Sequence, residues 1–330
     1  MSPARSTKRD QFLQTHRYEP TQLAFLASDM SLRRYYRLSA AKRVLMDAPF
    51  PEDPKQFIDI ARYLQECGLR APSILEHCLD NGFVLLEDFG DHTFTAILKN
   101  SIEREAELYQ TSISVLKHLH QQAKNKPTFI PAYTIENLLT EAEVFVDWYW
   151  QAAKGTPVSQ LTKKEFSNAW RHAFEQLPET PNSIVLRDYH VDNLMVVDDQ
   201  QGIQGCGLLD FQDALWGSVV YDVISLLEDA RRDLTPGLAD QMWNLFLKDI
   251  PDSEHGNYRT AATILGAGRH TKVIGVFVRY AMRHGKKEYL KHLPRLWEYL
   301  EKSLIIPELS QVKAWFDRYL PVEKQDIPTI

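Results

Sequence analysis

Two short stretches carry the residues best suited to chemistry: Leu186-Arg187-Asp188-Tyr189-His190-Val191-Asp192-Asn193, and, after a turn, Leu208-Leu209-Asp210-Phe211. An Asp closing an apolar strand, an Asn five residues on and a second Asp ending a return strand would bring three oxygen-bearing side chains to one mouth. Carboxylate and amide oxygens are hard ligands of the kind Mg²⁺ takes, one or two from protein and the rest from water and substrate phosphates. The remaining carboxylate can accept a hydroxyl proton during in-line phosphoryl transfer, a reaction that relies on positioning and charge stabilisation. Singly, each of these polar residues is an ordinary turn or strand end. Their joint spacing, with an apolar run before each Asp, is what points to a site. His190 and Asp192 fall off the pattern and read as packing or hydrogen-bonding residues.

Periodicity predicts the elements that must hold this loop. Residues 184–186, 194–197 and 207–209 read as short strands, the last two a hairpin closed by the turn at 198–202. Before them, residues 10–17 and 55–67 read as helices and residues 35–38, 44–47 and 83–87 as strands. Helices follow over 101–122, 135–153 and 163–176, then over 219–233, 237–248, 260–284, 288–304 and 307–320. The expected fold is α+β and bilobal: a small sheet-bearing N-lobe over 1–90 and a larger, mostly helical C-lobe over 91–330, with Pro72 and residues 88–92 near the hinge.

The chain has 330 residues with 38 Lys+Arg against 44 Asp+Glu, 44% apolar residues, 14 Gly and 17 Pro. Disordered and fibrous classes are thereby excluded. The net charge of −6 is unevenly spread: residues 259–302 hold ten Lys+Arg and three acids, about +7, leaving −13 elsewhere. Such asymmetry marks an anionic partner or a solvated basic face. Three scattered cysteines, Cys67, Cys78 and Cys206, support neither a disulfide framework nor a zinc site and read as reduced thiols. The N-terminal decapeptide lacks a signal-peptide core, and no run approaches the ~20 apolar residues of a spanning helix, so the sequence predicts a cytoplasmic protein without membrane or nucleic-acid partners. The P-loop, nucleophile-elbow, zincin and dinucleotide-binding motifs are all missing.

Arg187-Asp188 with Asn193, then Asp210 after an apolar pair, resembles the catalytic loop and metal-binding Asp of the protein-kinase-like fold, as used by aminoglycoside phosphotransferases and other small-molecule kinases. Leu186 stands where that pattern has its first His. The strings Asp29-Met30-Ser31-Leu32-Arg33-Arg34-Tyr35-Tyr36-Arg37, Val44-Leu45-Met46-Asp47-Ala48-Pro49, Leu85-Leu86-Glu87-Asp88-Phe89-Gly90-Asp91 and Leu209-Asp210-Phe211-Gln212-Asp213-Ala214 further resemble the anomeric kinases of N-acetylmuramate and N-acetylglucosamine. The resemblance implies an ATP- and Mg²⁺-dependent sugar 1-kinase of cell-wall recycling, acting as a monomer. By it, Asp188 is the catalytic base and Asn193 and Asp210 the Mg²⁺ ligands. Ser31, Arg33 and Arg34 fall where the family covers the nucleotide phosphates, and Leu86, Glu87 and Asp88 on the adenine side. Asp147, Trp148, Asp213 and Arg269 become acceptor-site candidates, though aromatics at helical spacing such as Phe145, Trp148 and Trp150 are more often core. Arg187 and Asp222 take supporting roles, and Asp222 also suits a helix first turn.

The chain departs from the pattern at the phosphate end. Its phosphate loop has no glycine, and Met46 or Asp47 replaces the usual strand Lys. Arg33, Arg34 or Arg43 can supply the missing charge. Two other readings follow from these features: an aminoglycoside or amino-alcohol phosphotransferase, against which the +7 segment argues, and a nucleotide-binding pseudokinase.

Overall fold

The computed structural model describes residues 3–28, 32–197, 200–325 and 327–330. Two compact units emerge, one formed by Met1–Ile130 with Leu186–Ala214, the other by Pro131–Val185 with Leu215–Ile330. The architecture is the expected mixed one, a small sheet followed by a mainly helical remainder.

In the first unit, α1 (Pro3–Thr15) precedes β1 (Leu23–Ser28), β2 (Arg34–Leu38) and β3 (Arg43–Asp47); α2 (Pro54–Glu66) follows, then β4 (Ile74–Cys78), β5 (Phe83–Glu87), α3 (Phe94–Asn100) and α4 (Glu105–Gln122). The strands form one antiparallel sheet ordered β1-β2-β3-β5-β4. Strand alternation gives it two different faces. Leu38, Leu45, Phe83 and Leu85 pack with Phe12 and Leu13 of α1, making a dry core. Tyr35, Arg37, Val44 and Leu86 line a cavity on the other side. Helix α2 starts where it does because the Asp53 carboxylate accepts from the backbone N–H groups of Lys55 (2.9 Å) and Gln56 (3.2 Å), and Pro54 is preset for the first turn. It buries Phe57, Ile58, Ile60, Ala61 and Leu64.

The second unit begins with α5 (Ile135–Lys154), α6 (Gln160–Glu175) and β6 (Asn182–Val185). The chain then supplies the first unit with the hairpin β7 (Leu194–Val196) and β8 (Cys206–Leu208), in register Leu194↔Leu208. Returning, it forms β9 (Leu215–Ser218), which pairs with β6, and α7 (Tyr221–Leu227), α8 (Leu238–Leu247), α9 (His255–His284), α10 (Leu293–Ser303) and α11 (Ser310–Tyr319). Phe145 of α5 is fully buried among Phe166, Trp297 and Phe316, with ring centroids at 5.9, 5.6 and 5.5 Å. The aromatic stripe of α5 is therefore core at this position.

The hairpin and α5 stand where periodicity puts them, whereas the helix expected over 10–17 is α1, shifted to Pro3–Thr15. Other boundaries differ for local reasons. The helix expected over 219–233 ends at Leu227, after which Asp229 takes the backbone N–H and a guanidinium N–H of Arg231 (3.1 and 3.2 Å) in place of a continued helix. The segment 288–304 opens as a 3₁₀ turn, Lys287–His292, before α10. The cysteines are free thiols, with Cys67 and Cys206 buried. Burial pushes the Cys206 thiol up to about 12, so it stays protonated.

Helices α5 and α9 pack closely enough to need a glycine. A Cβ on Gly275 would lie 2.6 Å from the backbone of Val144 and Phe145, and backbone cannot swing aside. Gly275→Ala is expected to force the helices apart at a cost of roughly 1–3 kcal/mol, lowering Tm by several degrees in thermal unfolding. An unchanged Tm would show that this contact yields without loss.

Candidate active site

The loop between β6 and β7 is fixed mainly by its own backbone. Asp188 N–H donates to Leu186 O (2.9 Å), His190 N–H to Asp188 O (3.1 Å) and Asn193 N–H to His190 O (2.9 Å). The Asn193 amide Nδ2 also donates to Asp188 O (2.9 Å), so the two predicted site residues are locked to each other. Below the loop, Tyr189 is buried and its hydroxyl donates to Ser112 O of α4 (2.9 Å). His190 is buried, as a packing residue would be. The off-pattern Asp192 accepts from the Thr95 hydroxyl and so ties the loop to α3.

Two residues of the pattern sit in the left-handed region, Arg187 at φ +71° and Asp210 at φ +56°. Asp tolerates this conformation and a long side chain such as Arg does so at a cost, of order 1–3 kcal/mol for a non-glycine residue. Such strain collects where a fold must aim a side chain. Arg187 reaches the backbone O of Asp213 (3.3 Å), bracing one Asp-bearing segment against the other.

Asp210 lies two residues after β8, and the hairpin brings it back to Asn193: Leu209 N–H donates to Asn193 O (3.0 Å), and Asn193 Nδ2 lies 3.5 Å from Asp210 Oδ2. Gln212 Nε2 donates to Asp210 Oδ1 (2.8 Å) and Asp213 Oδ2 (3.2 Å). Phe211 is fully buried and stacks on Phe57 of α2 with centroids 5.0 Å apart, so α2 supports the segment carrying Asp210. Arg33, only 7% exposed, places its guanidinium 3.6 Å from Asp210 Oδ1 and 3.8 Å from Glu52 Oε2. Among the described residues no three or more His, Cys, Asp or Glu side chains form a preassembled metal cage. Asp210 with the Asn193 amide fits the sparser set of hard oxygens that Mg²⁺ accepts when phosphates complete its shell.

A cavity of about 440 Å³ joins these residues to the sheet. Asn193, Met195, Leu209 and Asp210 line one side; Tyr35, Arg37, Val44, Leu86, Glu87 and Asp88 line another. Arg37 is clamped at one end by Asp88 Oδ2 and Asp91 Oδ1 (both 2.7 Å) and by Gly90 O (2.9 Å). Burial opposes its charge, but hydrogen bonds and attraction from Asp91 and Asp88 outweigh this and raise its pKa. Glu87 pairs with Arg70 and accepts from the Ser73 hydroxyl (2.9 Å), and Arg70 O accepts from Leu208 N–H (2.8 Å), tying the end of β5 to the hairpin. A Cβ on Gly207 would meet the Phe89 ring at 2.7 Å, so glycine permits this close seam.

The remaining sequence-predicted residues fall as follows. Ser31 lies outside the described residues. Arg34 pairs in register with Asp47, whose buried carboxylate is held by Arg5 of α1, so it belongs to the α1 face of the sheet. Asp213 is exposed. In the second unit, Asp147 is exposed and pairs with Lys163 (2.6 Å), and Trp148 lies under the Arg283 guanidinium at 4.5 Å. Asp222 is buried in the first turn of α7, and buried Arg269 donates to Ser225 Oγ (2.7 Å). The basic segment 259–302 differs from a simple solvated face: Lys272 pairs with Glu141 (3.2 Å), Arg295 with Asp233, and Arg269 and Arg283 are engaged as described. Arg37, Glu52 and Gln212 were not among the residues singled out by pattern. Gln212 follows the Asp-Phe pair directly, whereas Glu52 has no motif and is signalled only by an acid preceding the α2 cap.

Comparison with known proteins identifies the family. Residues 22–258, well over half the chain, match the phosphotransferase enzyme family. A Pseudomonas aeruginosa protein named N-acetylmuramate/N-acetylglucosamine kinase is 34% identical over 304 residues, covering 89% of this chain and 87% of its own. A protein of the same name from Caulobacter vibrioides is 28% identical over 360 residues, covering 98% and 99%. Among solved structures, the gentamicin complex of APH(2")-IIa superposes with a TM-score of 0.62 at 13% identity (91% of this chain, 98% of that one). A choline/ethanolamine kinase family protein from Mesorhizobium loti gives 0.60 at 11% identity (89% and 91%). With the family match spanning the Asp188, Asn193 and Asp210 loop and the sheet opposite it, the chain belongs to the phosphotransferase enzyme family.

Proposed function

We propose that the chain is an ATP-dependent anomeric sugar kinase that phosphorylates the 1-hydroxyl of N-acetylmuramate, N-acetylglucosamine or both, in the cytoplasm and in the service of cell-wall recycling. The observation that carries this reading is the linked Asp188–Asn193–Asp210 set, of which Asn193 and Asp210 line a cavity of about 440 Å³, in a chain whose relatives at 28–34% identity bear that kinase name. A division into a nucleotide lobe over 1–90 and a catalytic and acceptor lobe over 91–330 belongs to the same proposal, as does a monomeric state.

The adenine lies against Val44 and Leu86, its polar edge toward the backbone of Glu87 and Asp88. The phosphates run toward Asn193 and Asp210, which would hold Mg²⁺ through the amide and carboxylate oxygens. When bound, that ion neutralises charge developing on the phosphate oxygens. Asp188 accepts the proton of the anomeric hydroxyl as its oxygen bonds to the γ-phosphorus and the bond to the β-phosphate oxygen breaks, giving a sugar 1-phosphate and ADP. An anomeric hydroxyl is more acidic than an ordinary alcohol, so a carboxylate of modest basicity suffices. Asp147, Trp148, Asp213 and Arg269 remain the proposed acceptor residues, with Arg187 and Asp222 supporting the loop. Within residues 259–302, Lys272, Arg295 and Lys302 pair with Glu141, Asp233 and Glu298 of the same unit.

The test is an ADP-formation assay over N-acetylmuramate, N-acetylglucosamine, other hexoses and aminoglycosides, with NMR of the product. Turnover of an N-acetylated amino sugar is expected, with phosphorus coupled to the anomeric proton. Phosphorylation of a kanamycin-like substrate and of neither amino sugar would overturn the reading, as would binding of Mg²⁺ and ATP without ADP formation on any of them.

A further inference from the structure

The geometry points to Arg33, held in place by Glu52, as the cation that takes over the phosphate-binding work of the missing strand lysine; this rests on the ATP reading above. Sheet register and residue type remove the other strand positions. Position 46 shares the cavity face with Val44, but it carries a buried methionine. Asp47 faces α1, where Arg5 holds it. Arg34 and Arg43, two strand positions in register with Asp47 and Leu38, lie on that same α1 face. Arg37 does line the cavity, but Asp88, Asp91 and Gly90 fix its guanidinium at the β5 end.

Arg33 precedes β2 by one residue, keeps the parity of Tyr35 and Arg37, and approaches Asp210, which lines the cavity. Its separations from Asp210 and Glu52, 3.6 and 3.8 Å, are long for charge-assisted hydrogen bonds. The two carboxylates hold the guanidinium beside Asp210, where a phosphate oxygen offers it a bidentate partner. Glu52 in turn is held from both sides. Its Oε1 accepts from Leu32 N–H (2.9 Å), and the next residue, Asp53, caps α2. A helix start thus fixes the carboxylate that positions the cation, doing from the head of α2 what an ion-pairing helix Glu does for the strand Lys in other kinase-like folds. Glu52 is a positioning residue in this scheme. In the absence of nucleotide, Arg33 also balances the charge of Asp210.

Binding of ATP and of AMP to the full-length chain, by calorimetry with and without Mg²⁺, separates phosphate contacts from adenine contacts. Arg33→Met is expected to weaken Mg²⁺-dependent ATP binding about tenfold or more while AMP binding changes less than about twofold. Arg33→Lys should recover part of the loss. Glu52→Gln keeps an acceptor for Leu32 N–H but removes the charge, and should weaken ATP binding about threefold with AMP again unchanged. Should Arg33→Met fail to fold, the Lys and Gln variants decide by the same ATP-to-AMP ratio. Unchanged ratios in a natural chain that binds ATP would overturn this assignment alone. Failure of the natural chain to bind ATP at all would overturn the phosphotransfer reading and this assignment with it.

Discussion

Asp188→Asn is expected to lower kcat on the amino sugar by about 10²–10⁴-fold while leaving Tm and ATP affinity close to their natural values. The loop around Asp188 is held through backbone atoms: its N–H donates to Leu186 O, and its carbonyl takes both His190 N–H and Asn193 Nδ2. An isosteric amide preserves those bonds and the burial of Tyr189 beneath them. What is lost is the capacity to accept a proton from the incoming hydroxyl. Because that proton moves only as the phosphoryl group is transferred, the loss should fall on kcat and kcat/KM alike, with little change in binding of the sugar. Rapid-quench measurement of the chemical step, beside calorimetric titration with ATP, makes the check. A folded Asp188→Asn protein that keeps its natural kcat removes Asp188 from the chemistry.

What was legible in the sequence depended on whether its signal was local. Asp188 and Asn193 lie within one loop, and Asp210 is brought back by a hairpin whose two strands are short apolar runs joined by a turn-rich sequence, so the proximity of the three could be read before any fold was known. The long helices α5, α9 and α10 were equally plain, each with an apolar face continued over several turns. Strands β1 and β4 were not, because both are edge strands with little buried surface: Phe25 and Leu26 of β1 stand exposed, and β4 buries none of its residues fully. An edge strand is specified by its neighbour's hydrogen bonds more than by its own pattern. Helix α9 begins five residues earlier than periodicity suggested, since His255, Gly256 and Asn257 offer no apolar repeat and are carried by the packed helix behind them.

The phosphate end was the least legible region for a related reason. The contacts around Arg33 cross between distant segments: Arg33 to Glu52, Leu32 to Glu52, Arg33 to Asp210. Sequence offered three arginines and two strand positions without a way to rank them. Register ranks them, because one residue of shift along β2 exchanges the cavity face for the α1 face. The same logic explains why Met46 and Asp47 can stand where a lysine is usual: one is buried on the cavity side of the sheet, the other is consumed by Arg5, and neither has to carry the charge.

Asp210→Asn provides the second large effect, and its sign depends on the metal. With Mg²⁺ present, the variant is expected to bind ATP at least about tenfold more weakly and to lose about 10³-fold in kcat/KM, because a hard anionic ligand has become a neutral one. Without Mg²⁺, the order should reverse. The Asp210 carboxylate lines the cavity proposed to take the phosphates, so removing its charge relieves repulsion and leaves the Arg33 guanidinium with one carboxylate fewer to serve. Metal-free ATP should therefore bind the variant as tightly as the natural chain or more tightly. Asparagine is chosen because it tolerates the left-handed φ of +56° nearly as well as aspartate, so the turn after β8 and the Phe211–Phe57 stack persist. Alanine at this position adds backbone strain to the loss of charge and would confuse the two. Titrating ATP into both proteins across a Mg²⁺ series gives the comparison. If Asp210→Asn retains the full Mg²⁺ increment in ATP affinity, the ion is held elsewhere and Asp210 is not its ligand.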